Sequence, residues 1–96
     1  MKNMEEMKLI INRHRTEIEE KYNVKSIAIF GSYTRNEQSE KSDIDIVVEF
    51  KRPVGLLFIH LADYLEEILG VKVDLLTPEA IKPNRLKSVM EDLIYV

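Results

Sequence analysis

Ile27-Ala28-Ile29-Phe30-Gly31-Ser32, then ten residues, then Asp43-Ile44-Asp45-Ile46-Val47-Val48: this stretch decides the fold. Its ends are two apolar, β-branched runs of strand character. The first run breaks at Gly-Ser, and the second opens on Asp-x-Asp. A strand feeding a helical turn aims free N–H groups and a positive dipole end at whatever sits there. Glycine lets an anion approach the backbone closely, and the Ser32 hydroxyl adds a donor. Alone, Gly-Ser is an ordinary turn; its spacing to the acids gives it weight.

Strand side chains alternate faces, so Asp43 and Asp45 project the same way. At about 4 Å and an effective dielectric near 20, two like charges repel by about 4 kcal/mol. A shared proton would relieve that, and so would a hard divalent cation with oxygen ligands. At a wet strand end the pair would need neither. A third acid lies in Val71-Lys72-Val73-Asp74-Leu75-Leu76. If that strand neighbours the second, Asp74 completes a three-carboxylate site suited to two metal ions and phosphoryl transfer. An unpaired Asp in an apolar strand is costly to bury. Facing solvent, or paired with Lys72, it would carry no such role. Arg35 and Lys41 are candidates to offset phosphate charge, and both also read as solvated surface cations. Tyr33 reads as a base-stacking ring or a packed aromatic. His14 and His60 lack a third ligand at zinc spacing and read as packing or surface residues.

The rest of the chain supplies the frame. Met4, Met7, Ile11, His14, Ile18 and Tyr22 recur at helical spacing, which predicts one amphipathic helix from about Glu5 to Tyr22 with Asn23 closing it. Strands are predicted over Ser26 to Phe30, Asp43 to Phe50 and Val71 to Leu76. A helix with its apolar face on Leu57, Leu61, Leu65 and Leu69 ends at Gly70. Pro83-Asn84-Arg85 opens a last helix to about Asp92, and Leu93 to Val96 forms an edge strand. The fold class is therefore α/β (α+β), a small mixed sheet with helices against it, in one domain spanning residues 1–96.

Composition narrows the function. At 96 residues with net charge −3, the chain has no basic stripe for a nucleic-acid backbone, so no direct nucleic-acid binding is expected. It has no cysteine, which excludes disulfides and thiolate metal sites. No apolar run is long enough to span a membrane and the N-terminus lacks a signal-peptide core, so the cytoplasm is the expected location. One short core leaves little room for a substrate domain, so a macromolecular acceptor would bring its own recognition surface.

Together, Gly31-Ser32, the ten-residue gap, Asp43-Ile44-Asp45 and the later Asp74 resemble the minimal nucleotidyltransferases of the DNA polymerase β superfamily. Among these the chain is most similar to the MntA-type antitoxins that partner HEPN-domain RNase toxins. The resemblance implies a polymerase-β-like core, ATP as donor, and Mg²⁺, in two ions, as cofactor. It implies Asp43, Asp45 and Asp74 as metal ligands, with Asp74 also drawing the proton from the attacking hydroxyl. It implies Gly31 and Ser32, with Arg35 as a further candidate, at the triphosphate. The implied reaction is AMP transfer to a tyrosine hydroxyl of the HEPN toxin. Relatives often carry Ala-Arg-Gly where this chain has Thr34-Arg35-Asn36; Asn tolerates a left-handed backbone, so the turn is expected to survive. The rival expectation is a non-catalytic antitoxin that neutralises its partner by occlusion. A purely occluding protein has no need of three intact acids.

Overall fold

The computed structural model describes residues 2–96. The chain opens with α1 (Met4–Arg13), capped reciprocally by the Asn3 side chain and Glu6. It continues as α2 (Arg15–Lys21). These two replace the single helix expected over Glu5 to Tyr22, and His14 is the reason. Its backbone N–H turns to the Ile11 carbonyl at 3.0 Å. Its ring Nδ1 takes the Ile10 carbonyl at 2.9 Å, the acceptor that a continuous helix would give to the His14 N–H. Asn23 then ends α2 in the left-handed region at φ 58°, as expected of a C-terminal Asn.

β1 (Val24–Phe30) starts two residues earlier than expected, because Val24 already pairs with Phe50. β2 (Ile44–Phe50) and β3 (Val73–Leu76) start later than expected; Asp43, Val71 and Lys72 lie just ahead of them. Between β2 and β3 runs α3 (Leu57–Leu69), closed by Gly70 at φ 73°. α4 (Pro83–Asp92) and the short edge strand β4 (Ile94–Tyr95) match expectation. The sheet order is β3-β2-β1-β4. β1 runs antiparallel to β2 and β4, and β2 runs parallel to β3, so the sheet is mixed.

Strand alternation gives the sheet two unlike faces. On one, Ile27, Ile29, Ile44, Ile46, Val48 and Leu75 pack against Met7, Ile11, Ile18, Leu61, Leu65 and Leu69 from α1, α2 and α3. Nine of those residues have no measurable exposure, and this is the main core. The opposite face carries a smaller cluster of Phe30, Val47 and Val89, with Leu76, Ile81 and Leu93 against it. Its helical cover comes from α4. Asp45 and Asp74 alternate onto this second face, with Val47 and Leu76 the next residues along it. That leaves the acids at one rim of the thinly covered side.

Candidate active site

Asp45 stands on β2, the strand between β1 and β3. Its cross-strand neighbours are Phe30 and Asp74. Neighbouring strands lie about 4.8 Å apart, so the register sets two carboxyls side by side. Burial pushes the Asp45 carboxyl up from 3.8 to about 6, and the Asp74 charge and a hydrogen bond with Asp74 add to it. Asp43 raises it slightly further, while Arg85 opposes the shift. The two carboxyls that the register pairs are thus Asp45 and Asp74, rather than Asp43 and Asp45.

Asp43 is exposed and sits one residue ahead of β2. Its charge reaches both Asp45 and the Tyr33 hydroxyl. Asp74 is also exposed, so the burial cost expected of an acid in an apolar strand does not arise there. Lys72 does not pair with it among the described ion pairs. Among the described residues, no three His, Cys, Asp or Glu side chains are already gathered for a metal ion. Asp43 is the outlying member of the trio. The donor set still fits a hard divalent cation. It is all oxygen, and Asp45 carries a repulsion from two neighbouring acids that a cation would relieve.

Gly31 closes the site from the β1 side. Its φ is +80°, a region that costs any side chain roughly 1–2 kcal/mol. A Cβ there would lie 2.2 Å from Asp45 Oδ2. Glycine is therefore required twice, for its backbone angle and for the closeness of the carboxylate. Gly31–Tyr33 forms a single 3-10 turn, whose first N–H groups have no partner inside the turn. Thr34 secures it: its Oγ1 donates to the Gly31 carbonyl at 2.8 Å. Asn36 adopts φ 57°, so the left-handed residue expected in place of glycine is present.

Three candidates land elsewhere. Tyr33 is 2% exposed and packs in the main core, which leaves no ring face for stacking. Arg35 is exposed and pairs with Glu37 and with Asp92 at the end of α4. Its guanidinium is thereby engaged by two acids. His60 lies exposed on α3. Sequence reasoning missed Arg85, on the first turn of α4. Its signal was the i, i+4 spacing to Val89, the buried residue of that helix, which puts both on the sheet-facing side.

A mixed sheet with a Gly-Ser turn at the end of an inner strand, facing acids on the two strands beyond it, has the architecture of a minimal nucleotidyltransferase. Comparison with known proteins agrees. The chain belongs to the nucleotidyltransferase domain family, whose model matches residues 11–96, and within it to the MntA-type antitoxins. A Methanocaldococcus jannaschii relative named for protein adenylyltransferase activity is 59% identical over the whole of both chains. The protein adenylyltransferase MntA of Thermococcus cleftensis is 41% identical, over all of this chain and 98% of its own. A solved toxin–antitoxin structure with AMP-PNP superposes on 93% of this chain and 70% of its own, at TM-score 0.69 and 27% identity. No helix among the described residues is long and apolar enough to cross a membrane.

Proposed function

We propose that residues 1–96 act as one domain, a cytoplasmic protein adenylyltransferase that moves AMP from ATP to a tyrosine hydroxyl of a HEPN-type toxin. The observation that carries this reading is the Asp45–Asp74 pair pressed against Gly31. It joins a cation-seeking acid pair to an anion-seeking turn within one contact. Two relatives named for protein adenylyltransferase activity and the AMP-PNP complex support the acceptor class and the donor.

In this reading Asp45 and Asp74, with Asp43 swung in beside them, would hold two Mg²⁺ ions. When bound, the ions supply charge neutralisation at the attacking and leaving oxygens. The Gly31 and Ser32 N–H groups and the Ser32 hydroxyl bind the triphosphate and orient its α-phosphorus. Asp74, exposed at the rim, faces the side from which an acceptor arrives. It takes the tyrosine proton as the phenol oxygen bonds to the α-phosphorus. The bond to the β-phosphate oxygen breaks, and pyrophosphate leaves. Little else is asked of the protein, since phosphoryl transfer rests mainly on positioning and charge.

The test is transfer of label from α-labelled ATP to the co-purified partner, with the partner's intact mass read alongside. The double variant Asp43→Asn, Asp45→Asn should lose labelling while still binding its partner. Full neutralisation of the toxin with no mass change in the unaltered pair would replace this reading with occlusion.

A further inference from the structure

The second face of the sheet has one helix on it, and that helix divides the face in two. Leu86, Met90 and Leu93 line a cavity of about 210 Å³ on the side away from the acids, with Ala28, Val47 and Tyr95. Arg85 and Asp92, two turns apart along the helix, lie on a different side of it from those residues. Asp92 marks that direction, because it pairs with Arg35 beyond the Gly31 turn. Val89 fixes the rotation: it is 3% exposed and packs on Phe30 and Val47. Arg85 precedes Val89 by one helical turn, and Phe30 and Val47 flank Asp45 across and along the sheet. The guanidinium is thus carried to the carboxylate rim.

We propose that Arg85 is a nucleotide-binding residue that meets the phosphates of the donor over the Asp45 carboxylate. This rests on the nucleotide-site reading above. The charge count calls for such a group. Three carboxylates and a nucleoside triphosphate carry more negative charge than two divalent cations offset. Arg35, the cation nearest the turn in sequence, is already held by Glu37 and Asp92. Arg85 is exposed and has no ion-pair partner within 4 Å among the described residues. It lies one turn before Val89, which packs on Phe30 and Val47, the residues that flank Asp45. A planar guanidinium suits phosphate oxygens, which it grips with two parallel hydrogen bonds.

Calorimetric titration of the chain with ATP and with AMP, each with Mg²⁺, tests this. Arg85→Ala should weaken ATP about tenfold or more, because a charge-assisted pair is lost. AMP affinity should change far less, since most of the phosphate charge is missing. Arg85→Lys should recover part of the ATP affinity, keeping the charge without the fork. Thermal melting should be close to unchanged in both variants, as Arg85 is exposed. ATP affinity equal to that of the unaltered chain in Arg85→Ala overturns the assignment, and so does equal weakening of ATP and AMP with a lowered melting temperature. Asp45→Asn separates this from the parent reading. If it loses Mg²⁺-dependent ATP binding while Arg85→Ala does not, the carboxylate site stands and the Arg85 role falls. If Asp45→Asn keeps that binding in full, the site itself falls, and Arg85 with it.

Discussion

Replacing Asp45 by Asn should stabilise the protein on its own while disabling it as a metal binder. The folded state raises this carboxyl from 3.8 to about 6, chiefly through burial and the neighbouring Asp74. A raised folded pKa means the native chain holds the proton more tightly than the unfolded chain. Below pH 4 both states are protonated and nothing is lost. From about pH 4 to pH 6 stability falls as pH rises, and above pH 6 the full penalty persists. Roughly two pKa units correspond to a ceiling of about 3 kcal/mol. Asp45 is only half-buried, so solvent screening reduces this to ~1–2 kcal/mol. Asn removes the charge and can still donate to Asp74. In EDTA at pH 7 the Asn variant should therefore melt about 5 °C or more above the unaltered chain, given the usual scaling for a domain of this size. Its stability should be flatter between pH 4 and 6. Added Mg²⁺ should raise the melting temperature of the unaltered chain and leave the variant's unchanged. Urea melts across that pH range, with and without Mg²⁺, provide the measurement. An Asn variant that melts at or below the unaltered chain at pH 7 with the same pH slope would refute the strain assigned to the Asp45–Asp74 pair.

Two further outcomes test the turn. Gly31→Ala should cost ~2–4 kcal/mol in a urea melt, combining the left-handed penalty with the overpacking of a Cβ against Asp45; a loss under 1 kcal/mol would show that the turn readily moves away from the acid. Thr34→Ala should cost about 1 kcal/mol through the lost bond to the Gly31 carbonyl, and should leave maximal transfer rate within a few-fold of the unaltered chain.

Much of this architecture was legible because short-range rules and tertiary packing agree. α3 is bounded by its apolar stripe and Gly70, and α4 by Pro83; both helices appear where the periodicity puts them. The long N-terminal helix was misread because the pattern of apolar residues runs through His14 without interruption. What breaks the helix is a side chain taking a backbone acceptor, and hydrophobic spacing carries no trace of that. The acids were legible as types and spacings. Their pairing depends on β3 lying parallel beside β2, a choice made by long-range packing of α3. Arg85 was missed for the same reason: its spacing to Val89 marks a helix face, but nothing local says which rim of the sheet α4 will cross. Tyr33 was ambiguous between stacking and packing until the turn fixed its ring in the core.

The parallel pairing of β2 with β3 also governs when the site comes into being. β1, the Gly31 turn and β2 follow one another closely in the chain and can associate early. Asp74 joins only after the α3 crossover has been made and docked, and α4 is made later still. On a ribosome, the nascent chain can therefore display the Gly31 turn and two of the acids well before the third exists. A chain cut or stalled ahead of Val73 keeps a partial sheet without the paired carboxyls. The paired carboxyls arrive only with completion of the sheet, so a half-made copy presents the Gly31 turn beside a single strand of acids.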